Sequence, residues 1–377
     1  MLKNIQALRA VAAILVVIDH MNGLLDKSDP QTQTFITAFR FFGQSGVDLF
    51  FVISGFVMVT TCWNKFGTVN VSVIFMLRRL ARIIPPYWIV LFPLVVIYIF
   101  APKQVMPTHA GHVDIFASIL LLPTAHARLL DISWTLTFEL FFYSIFSIVL
   151  IGKRSRLVPL LGIWSVLQII AMLIWTGTKN PYLGFLSVPL PIEFIMGALI
   201  GYRFRCGTMP HFTVCGIVGL FAFGGLFIGS ATNVLGQDPT DWRILEFGLP
   251  AALIVYGAVG WEIRSGSISP AWLVKFGDAS YSAYLWHSPI IIACGILLVH
   301  LRVHGILLDS LTQVVTLALV VSLSVLAYNT LEKPLTLLLN RRVDWFGRRL
   351  KVRSADVTSQ LPVKLVAEQH FAGEASK

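Results

Sequence analysis

The sequence predicts an all-α protein, a polytopic membrane bundle of about ten transmembrane helices with both termini cytoplasmic. Three observations predict it. Of 377 residues, 56% are hydrophobic and only 13% charged, and the mean hydropathy is +0.77, too apolar for a domain whose solvent is water. Apolar stretches of about 20 residues, enough for a helix to cross a ~30 Å hydrocarbon core, recur with short polar connections between them. The formal net charge of +10 is spread unevenly over those connections, as the positive-inside rule requires.

The expected spans are 5–25, 42–62, 83–100, 133–151, 157–175, 187–203, 212–230, 243–261, 278–299 and 311–331. The first has the charge-then-apolar order of a signal peptide, but Arg9 interrupts it and no small-residue cleavage site follows, so it reads as a retained helix. Lys65, Arg78, Arg79 and Arg82, then Lys153, Arg154 and Arg156, then Arg203 and Arg205, then Arg264 and Lys275 all fall on one side of this arrangement. That side is expected to be the cytoplasm; the other carries only scattered cations such as Lys27, Arg40, Lys103, Arg128, Lys179 and Arg302. The placement assigns the positive charge to membrane topology rather than to nucleic acid.

The longest external connection, about 101–132, holds a short apolar run at 115–122, below spanning length and expected as a surface or re-entrant helix. The chain divides into a transmembrane domain, 1–335, and a basic cytoplasmic tail, 336–377, expected to be partly disordered. Arg341, Arg342, Arg348, Arg349, Lys351 and Arg353 in that tail suit anionic lipid. Cys62, Cys206, Cys215 and Cys294 have neither metal-type nor disulfide-framework spacing, and neither a metal nor a haem is expected.

An ionisable side chain inside a span costs at least ~2.5–3.5 kcal/mol on insertion scales, so such residues are functional candidates. Arg9 and His20 are eleven residues apart, which returns to nearly the same helix face about 16 Å further on. Read structurally, Arg9 snorkels to the headgroups and His20 caps the outer end; read functionally, both face the bundle interior. Asp48, near the outer end of the second span, sits at about the depth of His20, where a carboxylate could fix the imidazole tautomer. A solvated interfacial Asp is the alternative. Gly46 and Gly55 beside it allow close helix approach.

Glu139 lies nearly two turns into the fourth span with Tyr143 a turn further on, fitting either a structural ion pair or handling of a hydroxyl and its proton. Glu193 and Glu246 are further intramembrane carboxylates without an assignment. Arg78, Arg79 and Arg82 satisfy positive-inside topology, and guanidinium clusters also match phosphates bidentately. Tyr281, Tyr284 and Ser288 share a polar stripe with His287 beside it, which helix packing also explains.

In order along the chain come Arg9 with His20 eleven on, the stretch from Ser45-Gly46-Val47-Asp48 to Ser54-Gly55-Phe56, and Arg78-Arg79-Leu80-Ala81-Arg82. Ser133-Trp134-Thr135-Leu136 with Glu139, Tyr281-Ser282-Ala283-Tyr284-Leu285-Trp286-His287 and Glu332-Lys333-Pro334 follow. Together they resemble the membrane acyltransferase-3 family, the integral-membrane O-acyltransferases of bacterial surface carbohydrates, and most of all its exopolysaccharide-production branch. The resemblance implies a bacterial inner-membrane enzyme that moves an acyl group, usually acetyl from acetyl-CoA or another acyl-CoA, outward to a sugar hydroxyl. It implies an acceptor such as an exopolysaccharide repeat unit, cellulose or a lipid-linked oligosaccharide, with membrane lipid and polysaccharide-synthesis machinery as surroundings.

On that reading His20 is the general base or forms an acyl-histidine, Arg9 orients the acyl donor, and Asp48 and Glu139 complete the catalytic group. Arg78, Arg79 and Arg82 receive the CoA phosphates, while Trp134, Tyr143, Tyr281, Tyr284 and His287 are candidates for holding the acceptor. Intramembrane His, Glu and Arg also mark transport pathways, so a secondary transporter of a small solute is the alternative, and a structural subunit of a polysaccharide synthase is a third.

Overall fold

The computed structural model describes residues 2–25, 40–102, 113–232, 243–267, 269–301 and 306–349. Lys27, Lys103, Arg302 and the tail beyond Arg349 lie outside the described residues. The helices are α1 (Lys3–Leu25), α2 (Arg40–Gly43), α3 (Ser45–Cys62), α4 (Val69–Phe100), α5 (Ile115–Leu120), α6 (Trp134–Ile151), α7 (Leu157–Trp175) and α8 (Pro181–Ser187). They continue with α9 (Leu190–Arg205), α10 (Phe212–Ala231), α11 (Leu249–Ser265), α12 (Ala271–Asp278), α13 (Ser280–Leu301), α14 (Ile306–Ala327) and α15 (Lys333–Arg349). Among the described residues ten segments are long and apolar enough to cross a membrane, and no β-strand forms beyond an isolated bridge between Val113 and Ala127.

Helix α1 is the hub, packed against α3, α11, α12 and α13. Its start is tied down by a distant carboxylate: the N–H groups of Lys3 and Asn4, unpaired within the helix, donate to Glu262 of α11 at 2.8 and 2.7 Å. The α3–α9 contact is the most intimate in the bundle because glycine faces backbone on both sides. A Cβ on Gly55 would stand 1.9 Å from the Phe194 carbonyl oxygen, and one on Gly197 1.8 Å from that of Val52.

Helix α4 begins earlier than the sequence suggests. Thr68 caps it by accepting the Val71 N–H at 3.3 Å, so Arg78, Arg79 and Arg82 stand on the helix and not in a connection before it. At 32 residues the helix is about 48 Å long, well beyond a ~30 Å core, with Pro85, Pro86 and Pro93 inside it. Tyr87 and Trp88 of α4 donate to the carbonyls of Ser118 and Ile119 at 2.5 and 3.0 Å, fixing the short connection helix α5 against the bundle.

The basic connections share one face. Arg154, before α7, and Arg205, ending α9, both lie over the Trp63 ring at the end of α3, at 4.7 and 5.7 Å from its centroid. The stretch read as the beginning of a tail is helical: α14 passes through a π-helical turn, Tyr328–Glu332, into α15, which packs across α4 at this basic face.

Candidate active site

Two cavities meet at the arginine cluster. The first, about 540 Å³, lies at the basic face between the end of α3, the first turns of α4 and helix α15. Its lining includes Lys65, Arg78, Arg79, Arg82, Asp344 and Arg348. The second, about 100 Å³, lies deeper and is lined by Arg9, Arg79, Arg82, Glu139, Tyr143, Tyr281 and Tyr284, with apolar walls from Val47, Phe50, Phe51 and Leu136. Arg79 and Arg82, three residues apart on one face of α4, line both. Arg78 lines the outer cavity and is paired with Asp344 of α15 at 2.6 Å.

The deeper cavity holds three guanidinium groups and one carboxylate among its lining side chains, so it favours an electron-rich guest. Three of these charges, Arg9, Glu139 and Arg79, are positioned by a neighbour. Arg9 donates to Gln6 Oε1 at 3.0 Å, and Gln6 in turn donates to Asp278. The Tyr143 hydroxyl donates to Glu139, and the Arg79 guanidinium lies over the Tyr143 and Phe75 rings at 5.3 and 5.4 Å. The Tyr281 hydroxyl donates to the Ile83 carbonyl at 2.8 Å, beside the prolines of α4, and that of Tyr284 reaches the Ile132 carbonyl at 2.5 Å and Thr135. Both therefore offer ring surface, and not a free hydroxyl, to the cavity.

Behind Tyr284 lies a histidine pair. The ring centroids of His287 and Tyr284 are 5.7 Å apart, and His287 meets His20 edge-on at 4.9 Å. His20 Nδ1 is 2.8 Å from the Val16 carbonyl and His287 Nδ1 3.2 Å from that of Ala283. A carbonyl only accepts, so each Nδ1 carries the proton and each neutral ring keeps its lone pair on Nε2. His287 is fully buried and its Nε2 has no hydrogen-bond partner; His20 is one-third exposed.

The structure thus joins Arg9, Glu139, Tyr143, Tyr281 and Tyr284 with Arg79 and Arg82 around one cavity and sets His20 against His287 beside it. Asp48 does not join them. Its carboxylate is fully buried and bound by Arg243 at 3.0 and 2.7 Å, so the expectation that it fixes the His20 tautomer gives way to the Val16 carbonyl doing so. Asp19 is the carboxylate near that ring, at 3.7 Å from Nδ1. Trp134 packs on Phe138 and is absent from both cavity linings. Sequence reasoning missed Arg243, which follows a polar connection, and Gln6, whose place one turn before Arg9 is the only signal it gave.

A helical bundle with ten spanning segments, and with cationic cavities running inward from one face, defines a multi-pass membrane protein with a ligand-sized site inside it. Residues 2–329 match the acyltransferase domain family, and the chain belongs to it: it is an acyl-transferring enzyme. The exopolysaccharide production protein ExoZ of Rhizobium meliloti is 30% identical over 253 residues, 65% of this chain and 76% of that one. The acyltransferase MdmB of Streptomyces mycarofaciens is 24% identical over 77% of this chain and 79% of its own. A putative membrane-bound transacylase, BcsY of Komagataeibacter xylinus, is 25% identical over 88% and 82%. No solved structure matches.

Proposed function

We propose that this enzyme takes an acetyl group from acetyl-CoA at the cytoplasmic face of the bacterial inner membrane and passes it to a hydroxyl of an extracytoplasmic or lipid-linked carbohydrate. The observation that carries the reading is the Arg79–Arg82 wall common to both cavities. A phosphorylated carrier held at the basic face has its thioester arm directed past that wall toward Arg9. The positive-inside rule makes the basic face cytoplasmic, the relative named for exopolysaccharide production supports a glycan acceptor, and the one named a membrane-bound transacylase supports acyl transfer at the membrane.

His20 Nε2 is the general base. It takes the proton of the acceptor hydroxyl as that oxygen attacks the thioester carbonyl; the C–S bond breaks and the carrier leaves as a thiol once its thiolate is protonated. Arg9, in the deeper cavity about three helical turns from His20, orients the acyl donor and neutralises part of its charge on the way to that base. Glu139, held by Tyr143, orients the acceptor hydroxyl. The test is reconstitution in lipid nanodiscs with [14C]acetyl-CoA and lipid-linked oligosaccharide, following free thiol and label in the glycan together. Acyl transfer releases both in equal amounts. Label that crosses a proteoliposome unaltered, without thiol release, would instead identify a transporter.

A further inference from the structure

The cavity at the basic face has a wall that the acyl-transfer reading leaves unused. Helix α15 contributes Asp344 and Arg348 to it, and Lys65 enters from the α3–α4 connection. Five cationic side chains, Lys65, Arg78, Arg79, Arg82 and Arg348, line this space against one carboxylate, Asp344. The volume of about 540 Å³ is that of a small-molecule site.

Helix α15 is seated closely. Gly347 faces α4 there, and a Cβ on it would stand 3.1 Å from the Cδ1 of Ile74. The ion pair that closes the wall is solvated, with the Arg78 and Asp344 side chains 31% and 44% exposed, and such pairs exchange readily for a better partner. On the same helix Thr336 Oγ1 and Asn340 Oδ1 are buried without hydrogen-bond partners. Burial first, and then the fields of Arg78 and Arg79, hold the Lys65 ammonium below its ordinary pKa. The cavity therefore holds excess positive charge that Asp344 alone does not neutralise.

We propose that α15 is part of the donor site: Arg348 and Lys65 hold phosphates of the acyl carrier together with Arg78, and Asp344 is an internal anion that occupies Arg78 until a carrier phosphate replaces it. This rests on the acyl-CoA reading and assigns it three further residues. A phosphate carries more charge than a carboxylate and accepts two parallel guanidinium hydrogen bonds, so it wins the exchange. A phosphorylated carrier and a lipid headgroup share this chemistry, and the test separates them.

The experiment is calorimetric titration of the full-length protein with coenzyme A and with 3′-dephospho-coenzyme A, in nanodiscs of zwitterionic lipid and again with phosphatidylglycerol present. Asp344→Asn is expected to tighten coenzyme A about 2–5-fold by removing the competing anion. Arg348→Gln is expected to weaken it at least about 10-fold, with Arg348→Lys recovering much of the loss, in both lipids. Wild-type binding with unaltered affinity in Asp344→Asn and Arg348→Gln overturns the role of α15 and leaves the donor reading standing. Arg348→Gln that changes only phosphatidylglycerol retention makes the cavity a headgroup site and also overturns it. Failure of the wild type to bind coenzyme A removes the donor reading and this inference together.

Discussion

His20 and His287 hold their rings in the same way, each spending its Nδ1 proton on the carbonyl one turn earlier and leaving Nε2 as the basic atom. In the proposed mechanism His20→Ala lowers kcat by ~10²–10⁴-fold, measured as thiol release at saturating donor, while coenzyme A affinity in a direct titration stays within about two-fold. Asp48 follows a different logic. It is a buried carboxylate whose charge is balanced by Arg243, and removing one partner of such a pair strands the other. Arg243→Ala is expected to cost about 3–5 kcal/mol, seen as a lower unfolding midpoint in detergent, and a compensating Asp48→Asn in the same chain to recover part of it. A midpoint unchanged by Arg243→Ala contradicts that account. The sequence flags Asp48 because a carboxylate near the outer end of a span, at about the depth of His20, stands out, yet its partner is 195 residues away and only the folded bundle brings the two together. Arg9 and Glu139 were legible for the opposite reason: each is costly within an apolar span whatever surrounds it.

Among the elements, α4 departs most from expectation. From sequence the span begins at 83, and the arginines before it count among the cations of a connection, where the positive-inside rule expects them. The Thr68 cap starts the helix at Val69 and turns that connection into a helical face whose Arg79 and Arg82 line both cavities, while Arg78 lines the outer one. The α3–α9 contact was half legible, since Gly55 signals a close approach but not to which helix. There a backbone oxygen stands where a methyl would go, and backbone cannot swing aside. Gly55→Ala is expected to destabilise by about 1–3 kcal/mol, whereas Gly224→Ala on α10, with nothing within 4 Å, leaves the unfolding midpoint unchanged. Equal midpoints for the two variants would remove the close-packed contact as a source of stability.

Across the whole molecule, the ten spans were readable because each is a local property of about 20 consecutive residues. The cavities were not, because each is assembled from helices far apart in the chain, and α15 at the basic face hid behind its tail-like composition. Orientation is a claim at this scale. In a Cys206→Ser background, a cysteine at Lys153 is expected to react with an impermeant thiol reagent only in inside-out vesicles, and one at Ala125 only in right-side-out ones. The reverse pattern inverts the direction of transfer.

The central claim is that this membrane enzyme acylates a glycan hydroxyl with His20 as its base. It is tested most directly by the O-acetyl content of the host's extracellular glycan, measured by proton NMR in a deletion strain complemented with wild type or with equally expressed His20→Ala. O-acetyl signals restored by the wild type and absent with the variant are the predicted result. Identical O-acetylation in the two complemented strains contradicts it.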